Sequence, residues 1–591
     1  MAETVNGGNN QPQAPKEMSM EIRLLLAFLL MGVVMFVTPY FFKSPPAAQK
    51  GEKAQTTQEA AGQKQAEEQK NAQPAPTPAE SQKPQTQKSS SPASTAAAAP
   101  AATSAGTPQQ AQPLFIIDTD LFRVAFSNQG ATVRSWQLKK FKGNDNKPLE
   151  LMNTAADLHP FSLHFPDQKP TSDVNKVYYT QKPDPDGLGV TYEFSDGHTV
   201  VRKIFRFQKD KYLSDITTEV TVDGKPISNL IEWRGGFGDL TVSNAAGHQR
   251  ALFFNQANNK LVEQNAKTAK NGPVSSSGNY SFAGMADTYF AAVFLPADGS
   301  TMHQVTFSDT VRTALEEKAE PFPGIAVSNG VINRFSFFVG PKDLDLLGRV
   351  NPKLKEVVNF GWMSVLAKPL FLIVNWFNDG FVHNYGWAIV LVTIVINFML
   401  FPLKLANMKS MRKMQALQPQ IKQINEKYKN VKLNDPRKGE QNAEVMALYK
   451  QHGVNPLGGC VPMALQIPFF FAFYEVFTVS VQMRGASWLW VADLSQPEPW
   501  AIKILPITMV VSQFLMQKMT PQTSPDPNQQ RMMMLMPLIF GFMFYNLPSG
   551  LVLYYLTSNL VSMGQQWFFN HTAAAEEAAR SVEPKKKGGR K

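Results

Sequence analysis

Hydrophobic and polar residues alternate over the first large folded part of this chain of 591 residues. Phe122, Val124 and Phe126 are one such run, and similar runs recur between residues 114 and 345. Asp196-Gly197 lies between two of them, which is a strong signal for a β-hairpin. The period of two, with little helical periodicity, predicts one large all-β sandwich over residues 114–345.

Long apolar runs replace this alternation towards the C-terminus. A helix needs about 20 apolar residues to cross a bilayer. Five stretches approach that length: Gly386–Leu405, Pro456–Val481, Ala501–Met519, Met532–Leu547 and Leu551–Phe569. A sixth run, Leu24–Phe42, lies near the N-terminus. The pattern predicts a polytopic α-helical membrane protein with six spans, in which five helices form the core at residues 352–591.

The N-terminal run has two readings, a secretory signal peptide and a retained transmembrane anchor at residues 24–42. It is longer than the usual apolar region of a signal peptide, and Tyr40-Phe41-Phe42-Lys43 offers no small-residue cleavage site. These features favour an anchor. Residues 43–113 follow. Because they contain no aromatic residue and are rich in Ala, Gln, Pro and Ser, they are predicted to be a disordered linker.

Another segment, residues 352–381, mixes aromatic with charged residues. Trp362 and Trp376 are typical of a helix that lies at the membrane surface, and Lys368 and Asp379 are interspersed among the apolar positions. We expect an interfacial helix here. The alternative is a short helix buried in the protein core.

Charge predicts the orientation. Between Lys404 and Lys450 there are eleven Lys or Arg residues and four acids, so the positive-inside rule places this loop in the cytoplasm. Residues 406–455 are predicted to form a cytoplasmic helical hairpin that carries Lys409, Arg412 and Lys413. The basic tail at 570–591 and the N-terminal tail at 1–23 are then also cytoplasmic, and the β domain is periplasmic in an inner-membrane protein.

Signatures of catalysis are missing from the sequence. The eight histidines form no His-x-x-x-His pair, and no nucleotide-binding glycine motif is present. Cys460 is the only cysteine, which excludes a disulfide within one chain. Large β-sandwiches often bind sugars, yet no pair of carboxylates is marked as acid and base. We therefore predict no enzyme activity, no cofactor and no metal site.

Polar residues interrupt the predicted spans. Asn397 and Thr393 lie in the first span of the core, Gln466 in the next, Gln513 in the third and Asn559 in the last. Polar groups inside a bilayer are costly and usually face a bundle interior or a wet cavity. Ordinary hydrogen bonds between helices are an equal alternative, so the pattern leaves both open.

Several sequence strings resemble a known family. They are Phe401-Pro402-Leu403-Lys404, Asn455-Pro456-Leu457-Gly458-Gly459-Cys460, Gln466-Ile467-Pro468 and Leu547-Pro548-Ser549-Gly550. Together with Phe126-Ser127-Asn128-Gln129-Gly130-Ala131 in the β region, they are similar to the YidC/Oxa/Alb family of membrane-protein insertases. The resemblance is to the Gram-negative type, which has a periplasmic β-supersandwich domain, and it extends along the whole chain.

The resemblance implies an insertase and chaperone that works without covalent chemistry. A hydrophilic groove attracts the acidic, polar part of a nascent membrane protein, while the apolar helix of that client slides along two spans. The groove residues implied are Lys404, Asn397, Thr393, Gln466, Gln513 and Asn559. The slide residues implied are Ile467, Phe470, Tyr474, Ile539, Met543 and Tyr555. The partners implied are nascent membrane proteins, the Sec translocon, the ribosome and anionic lipids, with a monomer sufficient.

One position departs from the family pattern. The family places an arginine five residues before the proline of this span, and Asn397 occupies that position here. Lys404 lies seven residues further on, nearly on the same helix face, and its long side chain has the length to reach back. We expect Lys404 to supply the charge of the groove. The alternative is a plain interfacial anchor at the end of the helix.

A transporter with a periplasmic binding domain is the alternative function. Polar residues in the spans fit it, but the sequence shows no inverted repeat. Flux measured in vesicles that contain only this protein separates transport from insertion.

Overall fold

The computed structural model describes residues 110–242, 244–297, 300–313, 318–429, 435, 437–454, 461–520 and 527–582. The predicted N-terminal tail at 1–23, the anchor at 24–42 and all but the end of the linker at 43–113 lie outside these residues. Cys460 and the basic residues that follow position 582 also lie outside them.

Strands make up most of the region before residue 342. In chain order, β1 to β19 are Phe115–Asp118, Phe122–Ser127, Thr132–Lys142, Pro148–Glu150, Ser162–His164, Thr180–Pro183, Gly189–Ser195, Thr199–Phe207, Leu213–Val222, Lys225–Pro226, Leu230–Trp233, Arg250–Asn255, Lys260–Gln264, Val274–Gly278, Tyr280–Ala286, Phe290–Pro296, Met302–Val311, Glu320–Ser328 and Asn333–Pro341.

These strands form three antiparallel sheets. The largest has the order β13-β12-β15-β16-β19-β9-β8-β7-β6, with β10 added beside β9. A second sheet runs β14-β17-β18-β11-β5, and a smaller one runs β1-β2-β3-β4. Their apolar faces share one hydrophobic core. The predicted all-β sandwich is confirmed.

The hairpin of β7 and β8 shows how sequence sets the register. Asp196 and Gly197 form the turn, and Ser195 pairs with Val200 directly beyond it. Gly197 has φ of 91°, a conformation that glycine adopts without strain. The Asp196 carboxylate accepts a hydrogen bond from the Thr199 backbone N–H at 2.6 Å. The Asp-Gly signal therefore marks the turn for a local, physical reason.

Aromatic rings fill the sandwich core. Trp136, Phe161, Trp233 and Phe337 are almost fully buried. The Phe161 ring centroid lies 5.2 Å from that of Phe337, edge to face, and 5.8 Å from that of Trp233. Such pairs contribute about 1 kcal/mol beyond the burial of their area. The core is therefore rigid enough to hold the loops at its surface.

Helices dominate the rest of the described chain. In chain order, α1 to α11 are Ala245–His248, Leu344–Val350, Ser364–Phe377, Tyr385–Met399, Phe401–Ala416, Gln418–Lys427, Arg437–Gln451, Val461–Val479, Ile504–Met519, Pro527–Phe544 and Ser549–Val582. Short 3-10 segments occur at Pro352–Val357, Gly361–Met363 and Val481–Met483, and a π-helical turn at Asn378–Val382.

Within the described residues, no helix by itself combines the length and the apolar character needed to cross a bilayer. Gly361–Val382 and Tyr385–Met399 satisfy both criteria as a pair, but they are bent by 116° at the break between them. Leu465–Val479, Ile504–Met519 and Met533–Phe544 are shorter apolar helices. The helices therefore do not confirm the predicted number of six spans.

The first predicted span of the core, Gly386–Leu405, is divided. α4 ends at Met399, and α5 begins at Phe401 and continues to Ala416. Pro402 has no N–H to donate to the carbonyl four residues earlier, which explains the interruption next to it. At the other end of the core, α11 runs past the predicted end at Phe569 to Val582.

The predicted interfacial helix at 352–381 is also divided. A 3-10 segment precedes Gly361, whose φ of 61° is unfavourable for most residues, and α3 starts only at Ser364. α3 buries Ala367, Leu370, Phe371 and Val374. Val365 is 90% exposed and Trp376 is 59% exposed, so the opposite face of α3 is apolar and uncovered.

Candidate functional site

A lysine and an asparagine from successive helices meet inside the helical part. Asn397 lies near the end of α4, and Lys404 lies in the first turn of α5. Seven residues make almost two helical turns, so both side chains lie on nearly the same face. Lys404 Nζ donates a hydrogen bond to Asn397 Oδ1 at 2.6 Å. The structure thus brings Asn397 and Lys404 together. The sequence analysis assigns both residues to the predicted groove, Asn397 at the position of the family's arginine and Lys404 as the charge.

The last helix closes this pair with a polar stripe. Ser558, Ser562 and Gln565 lie four and three residues apart on α11, so they share one helix face. Ser562 Oγ accepts a hydrogen bond from Lys404 Nζ at 2.9 Å. Ser558 donates to Asn397 Oδ1 at 3.3 Å, and Gln565 donates to the Asn397 backbone carbonyl at 3.2 Å. α11 therefore contacts both members of the pair.

Thr393 is buried one turn before Asn397, but its hydroxyl does not reach the lysine. It donates to the Ile389 carbonyl at 2.6 Å within its own helix. Asn397 Nδ2 in turn donates to the Thr393 carbonyl at 2.8 Å. Thr393 thereby orients the Asn397 amide so that its Oδ1 atom faces Lys404 and Ser558.

Two further helices join the polar cluster at its edges. Gln466 on α8 donates to Ser558 Oγ at 3.4 Å, a weak contact. Asn559 on α11 donates to Ser512 Oγ on α9 at 3.0 Å. Ser512 makes this contact between the two helices, and not the adjacent Gln513, which is the predicted groove residue. Gln513 is half-buried. Gln466 is therefore at the edge of the cluster, whereas Asn559 joins α11 to α9 beside it and no hydrogen bond among the described residues places Gln513 there.

Neutral atoms surround the positive charge of Lys404. Both hydrogen-bond acceptors of Lys404 are neutral oxygen atoms, Asn397 Oδ1 and Ser562 Oγ. Within the described part of the chain, no carboxylate forms an ion pair with Lys404. An ammonium group carries three N–H donors, and these contacts use two. Among the described residues, two of the three N–H groups of Lys404 therefore have neutral acceptors and none has a carboxylate.

The predicted slide residues divide into exposed and half-buried positions. Ile467 on α8 is 37% exposed, and Ile539 on α10 is 66% exposed. Phe470, Tyr474 and Met543 are half-buried and pack against the hydrophobic core. These three are therefore less accessible than Ile467 and Ile539, and their role in the slide stays a prediction.

Aromatic contacts explain the difference. The Phe470 ring lies 5.6 Å from Phe544, centroid to centroid, which joins α8 to α10. Tyr555 on α11, also half-buried, lies 4.9 Å from the same Phe544 ring. α8 and α10 therefore touch through these rings, with Ile467 and Ile539 left on the outside.

In the region of the predicted hairpin, α5, α6 and α7 pack around a small core. Leu417, Ile421 and Tyr449 are buried in a small core between α5, α6 and α7. Pro419 lies in the first turn of α6, where the helix direction is interrupted. Lys427 on α6 forms an ion pair with Glu444 on α7 at 2.5 Å, which joins the two helices.

The predicted hairpin cations lie on α5. Lys409 and Lys413 are exposed, and Arg412 is half-buried. The charges of the two lysines are therefore on the surface of the protein.

A second polar contact joins the β domain to the helices. Arg484, in the loop between α8 and α9, forms an ion pair with Asp239 at 2.5 Å. Its guanidinium also donates to the Lys142 carbonyl at 2.9 Å and lies 5.2 Å from the Tyr289 ring centroid. Gln482 donates to Asp343 at 2.8 Å beside it. The loop is thus fixed to the sandwich.

Sequence reasoning missed Ser562 and Arg484. Ser562 follows Ser558 by one helical turn, and this spacing was a usable signal. Arg484 is the only Lys or Arg between Lys450 and Lys503, so a lone cation in a predicted periplasmic loop marked it. Their partners are distant in sequence, and only the fold identifies them. Among the described residues, no group of His, Cys, Asp and Glu is arranged to hold a metal ion.

An antiparallel β-sandwich followed by an apolar helical core, in which neutral side chains hold Lys404, defines a two-part class of protein, and comparison with known families agrees. Residues 115–373 match the family model for the YidC periplasmic domain. Residues 376–576 match the model described as 60Kd inner membrane protein.

Full-length relatives give the same result. The chain is 32% identical over 573 residues to the membrane protein insertase YidC of Geotalea daltonii, covering 94% of this chain and 100% of the relative. It is 34% identical over 494 residues to the protein of the same name in Cupriavidus pinatubonensis, covering 79% and 85%. A solved structure of an active YidC insertase with its first transmembrane domain resolved has 21% identity and a TM-score of 0.34, covering 77% of this chain and 94% of that one. The two sequence relatives show that the chain belongs to the YidC family.

Proposed function

We propose that this protein is a membrane-protein insertase and chaperone that receives nascent membrane proteins in a groove formed by α4, α5, α8, α9 and α11. The observation that carries the proposal is the Lys404 ammonium, held 2.6 Å from Asn397 Oδ1 without a carboxylate partner among the described residues. The names of the two relatives support the same function.

The proposed mechanism lowers the cost of moving polar groups across hydrocarbon. A polar group stripped of water without a new hydrogen bond costs several kcal/mol. A groove lined by Asn397, Ser558 and Gln565 supplies hydrogen bonds along part of that path. Lys404 attracts the acidic part of a client, since its third N–H is available for a carboxylate. The steps require neither a covalent intermediate nor a nucleotide.

The client's apolar helix would pass beside α8 and α10. Ile467 and Ile539 are exposed on these helices, and both offer an apolar contact outside the half-buried ring of Phe470. Hydrophobic contact there is non-directional and therefore compatible with many client sequences.

The proposed location is the inner membrane, with six spans, cytoplasmic termini and a periplasmic β domain. The basic hairpin and basic tail support this orientation through the positive-inside rule. In this arrangement Lys409 and Lys413 face the cytoplasm, where the ribosome and anionic lipids are available as partners. The Sec translocon is a further proposed partner, and one copy of the chain contains every groove residue named above.

Site-specific crosslinking tests this function. A photoreactive residue at Ile467 or Ile539 is expected to capture a ribosome-stalled membrane protein in cells. The matched control is Val200, a similarly sized aliphatic residue that is 47% exposed on the β domain. Equal capture from all three positions, or capture from Val200 alone, would rule out the proposed client path.

A further inference from the structure

The contacts of Lys404 come from two directions. Asn397 belongs to the preceding helix. A lysine seven residues further along the chain reaches it through local helix geometry alone. Ser562 lies on α11, 158 residues further along the chain, and it is buried. A lysine side chain has four flexible carbon–carbon bonds and ordinarily extends towards water. A fixed position inside the helical part therefore requires a second anchor.

We propose that Ser562 is a positioning residue that holds the Lys404 ammonium against Asn397 and thereby sets the selectivity of the groove for acidic clients. This inference rests on the proposed insertase function. Ser562 is the residue of α11 whose hydroxyl contacts the ammonium itself, at 2.9 Å. Its neighbours on the stripe, Ser558 and Gln565, contact Asn397 instead.

The chemistry favours a hydroxyl at this place. A neutral acceptor fixes the direction of an ammonium group without cancelling its charge, whereas a carboxylate would form an ion pair and compete with the client. With two N–H donors directed at Asn397 and Ser562, the third N–H has a defined direction. Loss of Ser562 would release the side chain to other rotamers, and the charge would no longer be presented at one point.

A purely structural role for Ser562 makes a different prediction. If the hydroxyl only helps to pack α11 against α5, its removal slows insertion of every client by a similar factor. If it positions Lys404, removal affects clients with an acidic tail and spares those with a neutral tail. The ratio of the two insertion rates therefore separates positioning from packing.

The experiment uses the full chain in proteoliposomes that contain no other insertase. The clients are two versions of one single-span protein, whose translocated tail carries either three aspartates or three asparagines. Insertion rates are measured for wild type, Ser562→Ala, Ser562→Thr and Lys404→Ala. Thr572→Ala, which removes an exposed hydroxyl from the same helix, is the control. Ser562→Cys, close in volume but a weak acceptor, is added in case the alanine variant does not fold.

We expect Ser562→Ala to lower the acidic-to-neutral ratio about tenfold, as loss of a hydrogen bond to a charged group predicts. Ser562→Thr retains a hydroxyl and should restore the ratio, while Ser562→Cys should lower it. If the acidic-to-neutral ratio is unchanged in Ser562→Ala or Ser562→Cys but is lost in Lys404→Ala, the positioning role of Ser562 is overturned and the proposed function of the groove is not. An equal slowing of both clients would also overturn it. An unchanged ratio in Lys404→Ala would instead contradict the proposed function of the groove.

Discussion

Neutral oxygen atoms hold two of the lysines that this protein encloses at least in part, Lys404 and Lys203. Lys404 is bound by side chains from two helices, and Lys203 is bound by backbone carbonyls inside the β-sandwich. Lys203 Nζ donates to the carbonyls of Gly130 and Phe161, both at 2.7 Å. Phe161 has φ of 68°, a strained value for a bulky residue, so the backbone is shaped around the ammonium. Lys203 therefore has a structural role, whereas we propose that Lys404 presents its third N–H to a client.

Replacing Lys203 with methionine should destabilise the β domain by about 2 kcal/mol, because two buried carbonyls lose their donor. The midpoint of urea unfolding of the detergent-solubilised protein, followed by tryptophan fluorescence, measures this change. Lys209→Met, at an exposed position in the same domain, is the matched control. Equal midpoints for the two variants would show that the Lys203 contacts add nothing to stability.

The same residue predicts a dependence on pH. Burial lowers the pKa of Lys203 from its ordinary 10.5 to about 7, and the charge of Glu232 acts in the opposite direction. Between these values the unfolded chain binds this proton and the folded domain does not, so stability rises with pH. Below pH 7 both states bind it, and the contribution is constant. Wild type should therefore gain more stability than Lys203→Met between pH 7 and pH 9 in the same unfolding measurement. An identical gain in the two proteins would count against this titration.

Residue spacing predicts only part of the candidate site. The seven-residue interval between Asn397 and Lys404 predicts their proximity, because helix geometry alone determines it. The same geometry groups Ser558, Ser562 and Gln565 on one face. It does not identify which face α11 turns towards α4, since that depends on packing between helices far apart in sequence. Ser562 could therefore be recognised as a partner of Lys404 only in the folded structure.

At the scale of the element, two of the breaks between the described helices lie beside prolines. Pro402 follows the interruption between α4 and α5, and Pro419 follows the one between α5 and α6. Period-two patterning likewise predicts the hairpin of β7 and β8. The helix ends are less predictable: α5 continues to Ala416 because polar residues support a helix as readily as apolar ones once it extends from the core. A hydropathy pattern shows where residues change from apolar to polar, and in α5 that change comes before the helix ends.

The charges of the hairpin should contribute to ribosome binding. Lys409, Lys413 and Lys422 are exposed, and each cation near an anionic surface contributes about 1 kcal/mol. Replacing all three with glutamine should weaken association and reduce its dependence on salt, because fewer counterions are released. Co-sedimentation of detergent-solubilised protein with ribosomes over a salt series measures both effects.

A balanced variant serves as the control for this measurement. Lys427→Gln combined with Glu444→Gln removes the ion pair of the hairpin without changing its net charge. It should bind ribosomes as wild type does. If the triple variant and the balanced variant bind equally, an electrostatic role of the hairpin is disproved.

At the scale of the whole molecule, Arg484 connects the β domain to the helical part. Its side chain is 11% exposed and that of Asp239 is 2% exposed, so their ion pair is largely removed from water. Breaking a buried pair by removing one partner typically costs about 3–5 kcal/mol, because the other charge is left uncompensated. The rings of Tyr289 and Phe290 lie beside the guanidinium and add to the contact. Arg484 is therefore one of the contacts that fix the sandwich to the helical part.

Arg484→Ala should loosen this connection. We expect faster hydrogen exchange in residues 481–494 and around Asp239, with the far strands β6 and β7 unaffected. Arg484→Lys keeps the charge but loses the planar, bidentate geometry, so it should give a smaller change. Arg202→Ala, at an exposed position on the sandwich, is the control. Exchange rates that match wild type in Arg484→Ala would show that other contacts hold the domain.

The most direct test concerns the charge of the groove. In cells that contain no second insertase, insertion of an acidic-tailed and a purely apolar client is measured by pulse labelling and protease protection. Lys404→Ala should reduce insertion of the acidic-tailed client at least tenfold more than that of the apolar client, and Lys404→Arg should be close to wild type because positive charge is what the role requires. Adding Asn397→Arg to Lys404→Ala should restore insertion. Insertion of the acidic-tailed client at the wild-type rate by Lys404→Ala would show that Lys404 is only an anchor at the end of a helix.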